Sequence, residues 1–314
     1  MSDREVIDVL VVGAGPAGLA AGIYAARAGL TVVLLEESSA GGQLASIDDL
    51  ENYPGFAEGI NGFDAAFALK AQAERFGARI VSDKATSLSL HEKGEGPARF
   101  SVAGLHDVYS ARSVVVATGA KPVPLPLPEA EGLVGRGVSY CATCDGNFFR
   151  GKDVAVVGGG DSAVADAVYL SRVANAVHLI HRRDELRASP WNVQRMERLG
   201  NIAVHWNSVV KRIDSEEGRV NGVVVENVAT GKAESIPVQG LFVAIGTRPN
   251  TEWLSGLVDL DDQGYIVARE GGATSVSGIF AAGDVRTTPL RQVVTAVADG
   301  ALAAESAASF LASC

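Results

Sequence analysis

An internal repeat constrains this chain more than any other feature. Residues 10–36, LVVGAGPAGLAAGIYAARAGLTVVLLE, align without a gap on residues 155–181, AVVGGGDSAVADAVYLSRVANAVHLIH, 145 positions further on. Gly13, Gly15, Tyr24, Arg27 and Val32 meet identical residues at Gly158, Gly160, Tyr169, Arg172 and Val177. Each copy reads as an apolar strand, a glycine-rich turn, a long amphipathic helix and a second strand, a βαβ unit used twice. A lone G-x-G motif means little, but both copies have the strand before and the helix after that the motif requires. Gly13 and Gly15 allow a tight turn and let backbone N–H groups approach a pyrophosphate at a helix N-terminus. Gly18, matched by Ala163, reads as the place where helix packs closely on strand. Two such cradles in 314 residues predict an α/β chain of two Rossmann-like, three-layer nucleotide-binding domains.

The two copies end differently. The first closes on Glu36, followed by Glu37, and a carboxylate there accepts hydrogen bonds from the two hydroxyls of an adenosine ribose, as in FAD or NAD. The second closes on His181, followed by Arg182, Arg183 and, one turn on, Arg187. Three guanidinium groups suit a 2′-phosphate held by charge-assisted forks. The first cradle is thus expected to take a nucleotide with a free 2′-hydroxyl, and the second NADPH.

Composition narrows the function classes. Hydrophobic residues make up 47% and charged residues 20%, enough apolar material for two cores, and the formal net charge is −10. Such a surface repels phosphate backbones and anionic lipid, which disfavours nucleic acid or a membrane surface as partner. The run from Val9 to Ala26 is 18 residues without a charge, the length of a membrane span. Gly13, Gly15, Pro16, Gly18 and Gly22 interrupt it, so a strand, a turn and a buried helix are expected instead. The start, Met-Ser-Asp-Arg-Glu, is charged and does not read as a signal peptide. Three cysteines, Cys141, Cys144 and Cys314, are too few for a secreted disulfide framework and fit a reducing compartment.

Cys141 and Cys144 lie in CATCDG, shortly before the second cradle. Three readings compete for them. A structural zinc site needs about four ligands, and no second Cys pair or nearby histidine offers them, so no metal is expected. A pair of inert buried thiols is the second reading. A redox disulfide is favoured, because Cys-x-x-Cys closes a short ring and lowers one thiol pKa. Asp145 beside the pair supplies a titratable group for proton delivery.

With these motifs in place, the chain resembles the bacterial-type, low-molecular-weight thioredoxin reductases over essentially its whole length. The resemblance rests on GAGPAGLAAGIYAARAG, GGQL at 41–44, ENYPG at 51–55, ATGA at 117–120, CATCDG, GGGDSA, HRRDELRA at 181–188, AIGTRPN at 244–250, GIFAAGDV at 278–285 and LRQVVTA at 290–296. It implies an FAD domain built from residues 1–120 and 249–314, with an NADPH domain carrying the dithiol, residues 121–248, inserted between them. Pro122, Pro124, Pro126 and Pro128 mark the outgoing joint, and 246–249 the return. The resemblance places Gly13, Gly15, Pro16, Ala17, Glu36, Gly42, Gln43, Asn52, Ala117, Gly119, Gly283 and Asp284 around FAD, with Arg291, Gln292 and Val293 near its ring. It assigns Gly158, Gly160, Asp161, Ser162, Ala163, His181, Arg182, Arg183, Arg187 and Ile245 to NADPH.

The implied activity is NADPH-dependent reduction of thioredoxin through FAD and the Cys141–Cys144 disulfide. Cys144 would face the flavin, Cys141 would attack the partner disulfide, and Asp145 would move the proton. A rotating inserted domain, thioredoxin contacts at Phe148 and Phe149, a homodimer and a cytoplasmic location are further implications. Two departures stand out: Ala165-Asp166 replaces an acidic pair frequent in the family, and Asn147 replaces an apolar residue. Ser189-Pro190 reads as a helix start. A peroxidase-linked reductase, a dithiol oxidase and a silent flavin sensor are the rival readings. The start at Met1, the arginine cluster and the intact Cys pair argue against each in turn.

Overall fold

The structure is a computed structural model that describes residues 6–47, 50–91, 98–254 and 256–313. The charged start and Cys314 lie outside these residues. In chain order the elements run β1 (Val6–Val12), α1 (Pro16–Arg27), β2 (Val32–Glu36), α2 (Gly62–Arg75), β3 (Arg79–Ser82), β4 (Ser87–Leu90), β5 (Phe100–Ala103), β6 (Val108–Val116) and β7 (Ala120–Pro122). They continue with α3 (Pro128–Gly132), β8 (Val138–Ser139), α4 (Ala142–Asp145), β9 (Asp153–Gly158), α5 (Asp161–Ser171), β10 (Ala176–Ile180), α6 (Pro190–Glu197) and β11 (Ile202–His205). Then come β12 (Ser208–Glu216), β13 (Arg219–Asn227), β14 (Ala233–Ile236), β15 (Gly240–Ala244), β16 (Thr247–Pro249), β17 (Ile279–Ala281) and α7 (Val293–Ala312). The chain forms two compact units, Met1–Lys121 with Arg248–Cys314, and Pro122–Thr247 inserted between them.

Both units follow one plan. In the outer unit β3-β2-β1-β6 are parallel, β17 extends them along the C-terminal half of β6, and β5 and β4 continue as an antiparallel meander from its N-terminal half. The inserted unit has the all-parallel order β11-β10-β9-β15-β8 and a separate antiparallel meander β12-β13-β14. The registers match across the repeat: Val9 pairs with Val32 as Val154 pairs with Val177, and Leu10 pairs with Val114 as Ala155 pairs with Leu241. These central strands are apolar on both faces because both are covered. In β1, Val9, Leu10 and Val11 are fully buried, each contributing roughly 1.5–3 kcal/mol. Helices cover one face of each parallel sheet and the meander the other, which makes three layers with a core on each side.

The uncharged run from Val9 to Ala26 is the end of β1, the glycine turn and the buried helix α1, as expected. Helix α7 is the one long and apolar enough to cross a membrane among the described residues. Its small-residue side packs instead on α1, so closely that a Cβ on Gly300 would fall 2.0 Å from the Ala17 carbonyl oxygen. The two chain crossings, β7 and β16, pair as a two-stranded ladder. Pro122 ends the first of them, and Pro128 opens α3 as its first residue.

Candidate active site

In each unit the glycine turn is shaped by the strand beside it. Gly13 has φ +103°, and a Cβ there would meet the Ala117 carbonyl oxygen at 2.4 Å; Gly158 has φ +154° and would meet the Ala244 oxygen at 2.3 Å. Both positions therefore exclude a side chain on conformation and on space. The helices that follow begin on Gly15 and Gly160, each in extended conformation and with no side-chain cap. By contrast α2 is capped by Asn61, and α7 by reciprocal bonds between Gln292 and Thr295. The first-turn N–H groups of α1 and α5 are thus left to bind an anion. Space is there too: a Cβ on Gly160 meets nothing within 4 Å, and one on Gly15 only the Cα of Gly42 at 3.9 Å. Both cradles fit a dinucleotide pyrophosphate.

The loop after the second strand returns to the same carbonyl in both units. Gly41 N–H donates to Ala14 O at 2.8 Å, and Arg187 N–H donates to Gly159 O at 2.7 Å. In the outer unit this lays Gly42 against Gly15. The Glu36 carboxylate accepts from Ala14 N–H at 2.8 Å and Ser38 N–H at 3.0 Å, so it sits at the rim of the turn. In the inserted unit it carries Arg187 to the turn.

His181 occupies the place of Glu36 but not its exposure. It is 4% exposed, its ring fills the space a Cβ on Gly159 would need, and its Nε2 meets the Glu185 carbonyl at 2.9 Å. Arg182, Arg183 and Arg187 are exposed, and none of their guanidinium groups has a hydrogen-bond or ion-pair partner among the described residues. Asp161, at the start of α5, accepts from Ser189 N–H at 2.8 Å and Asn192 Nδ2 at 2.7 Å. Burial would raise its carboxyl pKa, but these bonds bring it below the usual value. Ser189 stands at the N-cap position of α6 with Pro190 next, yet its side chain does not cap that helix. Ser162 is exposed and Ala163 buried in the first turn of α5, while Ile245 follows β15 and packs on the core.

The remaining expected FAD residues converge in the outer unit from distant parts of the chain. Asn52 Nδ2 donates to Gln292 Oε1 at 2.8 Å, and Gln43 Nε2 donates to Ala120 O at 3.0 Å. Gly283 lies so close to α1 that a Cβ would sit 2.8 Å from that of Ala17. Burial pushes the Asp284 carboxyl above its ordinary pKa, Arg291 opposes this, and Asp299 adds to it. Arg291 places its guanidinium 4.1 Å from the centre of the Tyr265 ring, and Val293 opens α7 against Leu44 and Leu50. Ala117 and Gly119 follow β6, Ala117 donating to Val12 O at 2.8 Å. Sequence reasoning missed Asp299, which accepts from Gly283 N–H at 3.2 Å and from Arg286 Nη1 at 3.0 Å and so holds the Gly-Asp turn. Its only signal is an acid, one of two, in a helix of mostly small apolar residues.

Cys141 and Cys144 form a disulfide with Cα atoms 5.3 Å apart. Cys141, half-buried, ends the approach to α4, where Ser139 Oγ accepts its N–H at 3.0 Å; Cys144 is exposed. The Cys141 sulfur accepts the Cys144 N–H at 3.2 Å and lies 3.5 Å from Thr143 Oγ1. Asp145 is half-buried with no side-chain partner among the described residues. No group of three or more metal-binding side chains occurs among them either.

Two glycine-cradled units, one of them bearing a short-ring disulfide, define an oxidoreductase that exchanges electrons between a nucleotide and sulfur. The chain belongs to the pyridine nucleotide-disulphide oxidoreductase family, whose model matches residues 7–300. It is similar to the thioredoxin reductase of Treponema pallidum, 44% identical over 304 residues and covering 97% of each chain. It is also 42% identical over 313 residues to a bifunctional thioredoxin reductase/thioredoxin of Mycobacterium leprae, covering 99% of this chain and 67% of that one. Among solved structures, the thioredoxin reductase of Lactococcus lactis matches with a TM-score of 0.94 and 38% identity, covering 98% of this chain and all of the other.

Proposed function

We propose that this protein is a thioredoxin reductase: it takes a hydride from NADPH and, through FAD, reduces the disulfide of a thioredoxin by way of Cys141–Cys144. The observation that carries the reading is a disulfide in the same unit as a cradle whose second strand leads into three exposed arginines, none of them paired among the described residues. The outer unit is the FAD domain and the inserted unit the NADPH domain. FAD, when bound, supplies the exchange between a two-electron hydride donor and the disulfide.

The chain's own groups do the rest. Gly13, Gly15 and the first turn of α1 hold the FAD pyrophosphate, and Glu36 takes ribose hydroxyls on lone pairs left free by Ala14 and Ser38. Gly158, Gly160 and α5 hold the NADPH pyrophosphate, and Arg182, Arg183 and Arg187 its 2′-phosphate. Two electrons entering the Cys141–Cys144 bond cleave it to two sulfur anions, and Asp145 delivers or removes the proton of one. The Cys144 N–H that points at Cys141 Sγ stabilises charge there. Cys141 is accordingly the attacking thiolate: it bonds to one thioredoxin sulfur and releases the other. Cys144 then attacks Cys141, re-forming the ring and freeing reduced thioredoxin.

The fused relative from Mycobacterium leprae supports thioredoxin as the acceptor, since its name joins both activities. The net charge of −10 supports a protein partner over nucleic acid or an anionic membrane. A cytoplasmic homodimer completes the proposal. Purified protein, FAD, NADPH and the host's thioredoxins, followed by NADPH loss, test it; absence of turnover with every thioredoxin overturns it.

A further inference from the structure

We propose that Trp206 is the surface on which the adenine ring of the 2′-phosphorylated nucleotide stacks; the inference rests on the reading of the inserted unit as the NADPH domain. Trp206 is the first residue beyond β11, and β11 is the neighbour of β10, whose end leads into Arg182 and Arg183. Both therefore lie on the carboxyl edge of the parallel sheet, where ligands of such folds bind. Trp206 is 40% exposed. Its indole meets the buried His181 ring edge to face, with centroids 6.3 Å apart and planes at 78°, so the two rings are not stacked on one another.

The backbone that presents the indole is held on several sides. Asn207 has φ +51°, in the left-handed region that costs most non-glycine residues energy and persists where neighbours enforce it. Here Asn207 N–H donates to Arg183 O at 3.0 Å, and Val228 N–H donates to Asn207 O at 2.6 Å. Ser208 N–H donates to His181 O, and Ser208 Oγ donates to Trp206 O, each at 2.8 Å. The turn bearing Trp206 is thereby stitched to the backbone that bears Arg183. An indole and three unpaired arginines carried at the carboxyl edge of one parallel sheet select a ligand that is flat, aromatic and multiply anionic. Cations are repelled there, and a plain phosphate leaves the indole unused. A 2′-phosphoadenosine group satisfies both features, with the ring on Trp206 and the phosphate on the arginines.

The flavin-loaded enzyme and its Trp206→Leu and Trp206→Phe variants would be titrated calorimetrically with 2′,5′-ADP, with 5′-ADP and with base-free methyl ribose 2,5-bisphosphate. Leucine keeps an apolar contact to His181 but lacks a flat face. Trp206→Leu should weaken 2′,5′-ADP about fivefold or more, Trp206→Phe should recover most of that loss, and the base-free probe should bind all three alike. Equal weakening of both 2′-phosphate probes by Trp206→Leu would show that Trp206 acts only by holding His181 and the arginine loop, and would overturn the stacking. So would unchanged 2′,5′-ADP binding in that variant. If wild-type enzyme bound 5′-ADP as tightly as 2′,5′-ADP, the NADPH assignment itself would fall, an outcome separate from either of those.

Discussion

The two glycine turns meet the strands beside them at nearly equal distances, yet the helices behind them are seated differently. In the outer unit a Cβ on Gly18 would lie 1.8 Å from the Gly13 oxygen, so α1 is drawn down onto its turn. In the inserted unit the same position is Ala163, whose methyl is already accommodated. In the outer cradle Gly42 packs beside Gly15 and Gly283 against Ala17, whereas the second strand of the inserted one leads into exposed arginines. The difference teaches that one scaffold serves two modes of binding. A tight, small-residue enclosure suits a nucleotide that stays, and an open cationic rim suits one that comes and goes.

The comparison can be broken at several points, beginning with the largest effect. Cys141→Ser or Cys144→Ser should lower thioredoxin turnover by at least about a thousandfold, because thiol–disulfide exchange needs both sulfurs. The flavin absorbance and nucleotide affinities of either variant should match wild type, since the dithiol takes no part in the cradles. Gly13→Ala and Gly158→Ala make the same steric clash in the two units. The first should yield protein purified without FAD, while the second should keep its flavin spectrum and raise the KM for NADPH about tenfold or more. Identical outcomes for the two variants would abolish the distinction between resident and visiting nucleotide.

Next in size is Arg182→Ala with Arg187→Ala. Losing two charge-assisted contacts should cut the preference for NADPH over NADH by about a hundredfold, measured as the ratio of kcat/KM values. An unchanged ratio would place the 2′-phosphate elsewhere.

The smallest effect concerns position 166, where the outer unit has the buried Ala21. Burial pushes the Asp166 carboxyl up to about 7. A carboxyl whose folded pKa is raised binds its proton more tightly when folded, so ionising it costs stability. That cost is absent below the unfolded value near 4, grows as pH rises towards 7, and is constant above it. Asp166→Ala should therefore stabilise the inserted unit at pH 8 by roughly 2–4 kcal/mol and have little effect at pH 4, as followed by denaturant unfolding at both values. Equal effects at the two pH values would remove ionisation as the cause.

Much of the scaffold was legible because it depends on local order. Strand, turn and helix follow one another within about 27 residues in each copy, and the 145-residue offset matches the strand registers pair for pair. The charge contrast between Glu36 and Arg182-Arg183 was legible for the same reason. What the string of residues conceals is depth. His181 reads as one more cation in a basic run, yet it is buried, and only the paired change of Ala14 to Gly159 hints that a ring must fit there. Asp299, Arg286 and the Asn52–Gln292 bond were illegible because their partners are supplied by folding, across as many as 240 positions in the last case. Trp206 follows a short strand whose neighbour in space, not in sequence, carries the arginines.

The outer unit's division into two segments has a consequence for how the protein is made. On the ribosome, residues 122–247 form a continuous stretch that contains the whole of its own cradle and dithiol, and it can fold as soon as it emerges. The outer cradle cannot, because Gly283, Asn52's partner Gln292 and the helix that clamps α1 all belong to the last segment synthesised. Completion of the outer cradle is therefore the closing event of synthesis, and a nascent chain stalled before α7 would carry a finished dithiol module on an unfinished outer unit.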